Sequence, residues 1–209
     1  MGTETLKRLV AFDCEAAREI QGLFAGVDEA GRGPLAGPVV AAAVILRRSG
    51  SLSHLDDSKK IPSLKRTSIF REILQHSLVG IGIADEAQID EINIYQATRV
   101  AMRRAVLSLT RTPDFLFIDG KISLDLPVPQ KSIVQGDAKS ASIAAASIIA
   151  KVFRDGWMQR LAEIYPHYGF EKHKGYGTPL HLSLLEKIGP SPVHRKSFYP
   201  VSMLCGGFS

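Results

Sequence analysis

Between Pro38 and Leu46 the chain reads Pro-Val-Val-Ala-Ala-Ala-Val-Ile-Leu, nine residues without one polar side chain. A strand with one wet face alternates polar and apolar residues, whereas an unbroken apolar run needs cover on both faces. A membrane-crossing helix takes about 20 residues, so this run is far too short to be one. It predicts a central strand in a layered α/β domain. Residues 23–28 read as a neighbouring strand, joined to it through the glycine-rich turn Gly31-Arg32-Gly33-Pro34.

The rest of the pattern fits that frame. Residues 1–20 predict a helix with Leu6, Leu9, Val10 and Ala17 on its apolar side, and residues 63–76 a second. Residues 78–84 predict a third strand. Residues 85–92 and 93–109 predict two consecutive helices, with Asn93 as an N-cap and Ile94, Ala97, Ala101, Ala105 and Leu109 opposite Arg99, Arg103 and Arg104. Short strands follow at 115–118 and 131–134. A long helix spans 141–165, its first half rich in Ala and Ser, which permits close backbone approach. A helix at 178–187 has Thr178 as cap and Pro179 at its first position. Strands that first meander and then alternate with helices predict a mixed central sheet flanked by helices. Residues 1–190 show no linker and read as one domain including the N-terminal helix. Residues 191–209 read as a Pro-rich tail that contributes to a small helical appendage.

Chemistry gathers at strand ends. Asp28-Glu29, Asp119 and Asp137 each follow or close a predicted buried strand, which brings acids to one sheet edge, where sites of α/β proteins collect. Clustered carboxylates repel unless a cation neutralises them. Cys14 and Cys205 form no zinc-type spacing with histidine, so oxygen ligands point to a hard ion, Mg²⁺ or Mn²⁺. Two such ions about 4 Å apart activate water and stabilise a leaving oxygen in phosphodiester hydrolysis. Gly31, Gly33 and Gly37 do not fit G-x-G-x-x-G and no helix follows them, which excludes a dinucleotide site. Glycines flanking Arg32 would instead let backbone groups approach a ligand such as a ribose 2′-hydroxyl. Three stretches are candidates for phosphate and sugar contacts. They are Ser58-Lys59-Lys60, Lys139-Ser140 at a helix N-terminus, and Lys174 with Tyr176 between glycines.

Lys and Arg number 26 against 21 Asp and Glu. The excess concentrates after Lys151, as expected for a polyanionic partner. The first 20 residues include acids where a secretory signal would be basic and then apolar, so a cytoplasmic protein without a membrane anchor is expected.

These residues together resemble ribonuclease HII. Gly26-Val27-Asp28-Glu29-Ala30-Gly31-Arg32-Gly33-Pro34-Leu35-Ala36-Gly37-Pro38-Val39 is similar to the family's first signature. Asp57-Ser58-Lys59-Lys60, Ile118-Asp119-Gly120, Gly136-Asp137-Ala138-Lys139-Ser140, Ala144 to Lys151, Arg154-Asp155 and Lys174-Gly175-Tyr176-Gly177-Thr178 follow in family order. The resemblance implies a ribonuclease H-like fold with a C-terminal helical extension. It implies Asp28, Glu29, Asp119 and Asp137 as catalytic metal ligands for Mg²⁺ or Mn²⁺, with two ions when substrate is bound. It implies Gly31-Arg32-Gly33 as the backbone reader of a ribonucleotide, and Tyr176 as a ring packing on the deoxyribose beyond the cut. The implied activity is hydrolysis of RNA in RNA–DNA hybrids and cleavage 5′ of single ribonucleotides in duplex DNA, leaving 3′-hydroxyl and 5′-phosphate ends. The related ribonuclease HIII carries Lys where Arg32 stands. No clamp-binding motif stands out in the tail, so a sliding-clamp partner is not expected, and a monomer is.

Overall fold

In the computed structural model, which describes residues 2–20, 22–47 and 63–205, the apolar run forms β2 (Val39–Leu46), and its residues Val39 to Ile45 are all buried. On one side β2 pairs antiparallel with β1 (Phe24–Ala30), and on the other with β3 (Ser77–Ala84). On its other side β1 pairs in parallel with β4 (Phe115–Asp119), and β4 with β5 (Gln130–Ile133). The five strands lie in the order β3-β2-β1-β4-β5. The meander thus makes the antiparallel half, and the connection from β1 to β4 passes through α3 (Glu86–Leu107) on one face.

Alternation along β1 and β2 divides the core. Ala25, Val27, Val39, Ala41, Ala43 and Ile45 pack with the α3 residues Ala97, Ala101, Met102 and Ala105. Ala42 and Val44 pack with Leu9 of α1 (Gly2–Ile20), Ile69 and Ile73 of α2 (Ser63–His76), and the alanines of α4 (Ala141–Ile164). The small residues of α4 let it lie directly on β1. A Cβ added to Gly26 would overlap the α4 backbone at Ser142 and Ile143, so glycine there sets the helix-to-sheet distance.

The expected helix pair at 85–109 is one element interrupted at Asn93, whose φ is 66°. The Asn93 side chain accepts hydrogen bonds from the Tyr95 and Gln96 amides at 3.0 and 3.1 Å, which is the capping role its position predicts. β1 differs from the expectation by running through Asp28 and Glu29 to Ala30, because its ladder to β2 continues with Glu29 opposite Ala41 and Ala30 opposite Val40.

Beyond the sheet, α5 (Phe170–His173), α6 (Pro179–Ile188) and α7 (Val201–Cys205) pack on the second half of α4 and on the loop after β1. Leu35, Ala36, Met158, Leu161, Phe170, Leu185 and Val201 form that core. Thr178 caps α6 as expected, accepting from the His181 amide. Between Gly189 and α7 the backbone is irregular, but Ser191, His194 and Arg195 are buried in this C-terminal core. No helix among the described residues is long and apolar enough to cross a membrane.

Candidate active site

Parallel pairing builds the acidic centre. The register Val27 to Ile118 carries Asp28 of β1 and Asp119 of β4 to the same end of adjacent strands. Oxygens of Asp28, Glu29 and Asp119 lie within 4.8 Å of one another. Asp119 also accepts the Gly136 amide at 2.6 Å. That bond fixes the 3₁₀ turn Gly136–Ala138 after β5, which presents the buried Asp137 to the same cleft, outside the tight trio.

The electrostatics favour a cation. Burial pushes the Asp28 carboxyl well above the usual carboxylate range, the charges of Glu29 and Asp119 add to this, and a hydrogen bond from Ser147 of α4 opposes it. Glu29 is raised by burial, against the pull of the Arg32 guanidinium, whose Nη1 lies 3.3 Å from Glu29 Oε1. Glu29 Oε2 is buried with no hydrogen-bond partner among the described residues. A sealed, unpartnered carboxylate oxygen among other acids suits a hard divalent ion held by oxygens.

The same cleft, about 270 Å³, is also lined by Gly31, Arg32 and Gly33 and by Lys151, Arg154 and Tyr176. Gly31 has φ +97°, and a side chain there would collide with Arg154. Arg154 itself is 1% exposed and donates to the carbonyls of Pro38, Ala36 and Lys174. Its guanidinium carbon lies 6.0 Å from the centre of the Tyr176 ring, which is 44% exposed at the cleft. The Tyr176 carbonyl is held by His181 Nδ1 at 2.9 Å. A carbonyl only accepts, so Nδ1 carries the proton and His181 Nε2 accepts from His194 Nε2 at 2.9 Å.

Not every expected contact residue reaches this cleft. Ser140 is fully buried at the N-terminus of α4 and gives its hydroxyl to Asp13 of α1 at 2.7 Å. Asp13 also accepts the Ser142 amide at 2.8 Å. The anion at this helix end is the protein's own carboxylate, so in this structure Ser140 serves as the cap of α4, away from the cleft. Lys139 turns back to the Val134 carbonyl and lines a different hollow, with Arg8 and Phe12. Lys174 is half-buried and contributes its carbonyl to Arg154. Ser58, Lys59 and Lys60 lie outside the described residues. Roles for Ser147 and Arg195 were not apparent from the sequence. Both depend on partners far away in the chain, and no local pattern marks them.

The comparisons with known proteins agree with this architecture. The ribonuclease HII family model matches residues 25–201. Ribonuclease HII of Enterococcus faecalis is 51% identical over 95% of this chain and 78% of its own length. That of Bacillus licheniformis is 58% identical over 85% and 70%, and that of Chlamydia pneumoniae 49% over 94% and 92%. Among solved structures, ribonuclease H2 of Pyrococcus horikoshii superposes with a TM-score of 0.75 at 24% identity, covering 87% of this chain and 96% of that one. A ribonuclease HIII (Bst) in complex with Mn²⁺ reaches 0.66 at 16% identity, covering 88% and 69%. These two likenesses show a ribonuclease H-like fold. With the family model spanning most of its length and relatives near half identity across nearly all of it, the chain belongs to the ribonuclease HII family, hydrolases that cleave the RNA strand of RNA–DNA hybrids.

Proposed function

We propose that this enzyme cuts on the 5′ side of ribonucleotides, both in hybrids and singly embedded in duplex DNA, by two-metal-ion hydrolysis. The observation that carries the proposal is the acidic centre. Three carboxylates have oxygens within 4.8 Å of one another, one of those residues keeps a buried oxygen unpartnered, and the cleft beside them is walled by a glycine-flanked backbone. Asp28, Glu29 and Asp119 would hold Mg²⁺ or Mn²⁺, with Asp137 completing the set. Two bound divalent ions supply a nucleophile from water and charge for the leaving oxygen.

The chain's own residues supply alignment. Ser147 fixes Asp28, and Asp119 fixes the turn bearing Asp137. Gly31, Arg32 and Gly33 approach the sugar through backbone groups, and the exposed Tyr176 ring packs on the next deoxyribose. A water oxygen attacks the phosphorus on the 5′ side of the ribonucleotide and the bond to the preceding O3′ breaks. The products are a 3′-hydroxyl and a 5′-phosphate. The ribose 2′-hydroxyl is not the nucleophile in this step, which leaves it free to be read. Lys174, Lys139 and the Ser58-Lys59-Lys60 stretch remain candidates for contacts along the flanking backbone. The same reading treats the enzyme as a cytoplasmic monomer with residues 1–190 as its catalytic domain.

The test is direct. Incubate the protein with Mg²⁺ or Mn²⁺ and a labelled DNA duplex carrying one ribonucleotide, then map both ends of the cut. A single incision 5′ of the ribonucleotide, with 3′-hydroxyl and 5′-phosphate ends, is expected. Cleavage of the all-DNA duplex at a similar rate would favour a general two-metal nuclease instead.

A further inference from the structure

Arg195 lies far from the sequence motifs, yet it is fully buried against the loop that follows β1. Its Nη1 donates to the Arg32 carbonyl at 2.9 Å, and its Nη2 to the Gly31 carbonyl at 2.6 Å. Nε and Nη2 both donate to the Gly37 carbonyl, at 2.9 and 2.7 Å. The adjoining backbone holds the guanidinium in register. The Arg195 amide donates to Leu35, the Gly37 amide donates to Val193, and Ala36 bridges His194. Among the described residues no carboxylate shares these bonds. A cation buried this completely is solvated by peptide dipoles, which it must therefore orient.

That orientation has a consequence on the other side of each peptide. The Gly31–Arg32 and Arg32–Gly33 peptides are trans, so each N–H points opposite to its carbonyl. With both carbonyls drawn inward to Arg195, the amides of Arg32 and Gly33 face outward, at two exposed residues that line the acidic cleft. Neither amide has a hydrogen-bond partner among the described residues. We propose that Arg195 is a positioning residue for ribonucleotide selection. By clamping the Gly31 and Arg32 carbonyls, it presents the Arg32 and Gly33 amides as a fixed pair of donors to the ribonucleotide. This rests on the reading of Gly31 to Gly33 as the ribonucleotide reader and adds what sets its polarity: donors outward, acceptors consumed. Adjacent outward amides are the arrangement that binds anions and hydroxyl oxygens elsewhere in proteins.

Binding measured in the Asp28→Asn background, where no cleavage interferes, tests this. The quantity is the ratio of Kd for an all-DNA duplex to Kd for the same duplex with one ribonucleotide. Arg195→Lys keeps a charge but cannot fork across the carbonyls, so the ratio should fall about tenfold, the scale of one well-made hydrogen bond, with all-DNA affinity little changed. Asp90→Ala is the control. Asp90 anchors the next two residues, accepting the Lys196 and Ser197 amides at 2.9 Å, without touching the loop. It should lower stability and leave the ratio intact. An unchanged ratio in folded Arg195→Lys overturns the proposal, as does an equal fall in Asp90→Ala. A ratio near one in the parent would instead mean that the ribonucleotide reading had failed. Amide hydrogen exchange in the unsubstituted protein covers the case of a variant that does not fold. The Arg32 and Gly33 amides should exchange fast in the free protein and become protected by the ribonucleotide duplex alone. Protection already present in the free protein overturns the proposal.

Discussion

Asp28 is 5% exposed, with Glu29 and Asp119 beside it, and its carboxyl is pushed well above the ordinary range by burial first and those charges second. A carboxyl raised in the folded state binds its proton more tightly there than in the unfolded chain. Metal-free stability therefore falls as pH rises from the ordinary carboxylate range through the raised value, and stays lowered above it. Asp28→Asn keeps the shape and removes the charge. With a chelator at neutral pH it should melt higher than the parent, by about 2–4 °C for each kcal/mol of strain relieved. Its cleavage rate should drop on the order of a thousandfold or more. Calorimetry and a cleavage assay decide this, and a lower melting point with normal turnover would sink the assignment. Mg²⁺ should reverse the order of the two proteins, since ion at about 100 times its Kd adds about 2.7 kcal/mol to the one that binds it. At this scale the acids were legible because each sits at a strand end. The burial of Ser140 was not legible, because its partner, Asp13, is 127 positions away. Nothing in a Pro-rich tail distinguishes an arginine bound for water from Arg195, bound for three carbonyls.

Elements meet in this fold where side chains are smallest, and the tolerance there is low. Gly26→Ala would force α4 off β1, because the added carbon meets helix backbone that cannot swing aside. Overpacking of this kind costs about 1–3 kcal/mol, and more where backbone must move. The same displacement would shift Ser147 from Asp28, so activity should fall further than the urea midpoint alone would suggest. Asp13→Ala acts at the other end of the contact. It leaves the Ser142 amide and the Ser140 hydroxyl buried without their carboxylate, at about 2–3 kcal/mol. Turnover at permissive temperature should hold, since Asp13 touches no residue of the cleft; a loss of activity without loss of stability would contradict this. The elements themselves were well marked in the sequence. The apolar run gave β2, the Ala/Ser pattern gave the close-packed face of α4, and Asn93 gave the break in α3. The two extra residues of β1 were not marked, because whether Glu29 and Ala30 continue the ladder depends on β2 lying opposite.

Across the molecule, the basic and histidine-rich last quarter proves to be two things. Some of it faces solvent, but Arg154, Arg195 and three histidines are interior. Those histidines form a relay behind the cleft. Ser191 donates to His194 Nδ1, His194 Nε2 to His181 Nε2, and His181 Nδ1 to the Tyr176 carbonyl. His173 stacks on His181 with ring centres 4.2 Å apart. Every ring is neutral in this chain of bonds, since a second proton on any of them would set donor against donor. Burial first, and neighbouring rings in addition, lower His181 and His194 from 6.5 to about 4. The unfolded chain thus takes up protons below pH 6.5 that the folded protein refuses. The stability these rings contribute is fully present above 6.5 and is lost as pH falls through about 4. The urea midpoint should therefore drop steeply across that window, and the imidazole resonances of His181 and His194 should not move until its acid end. Titration of either ring near 6.5 would refute the relay. Because His194 adjoins Arg195 and His181 holds Tyr176, acid should also loosen the Gly31 to Gly33 loop and Tyr176 together. Loss of cleavage should begin at higher pH, as the raised Asp28 and Glu29 carboxyls take up protons, whereas amide exchange of the Gly31 to Gly33 loop and of Tyr176 should quicken only as protonated His181 appears near 4.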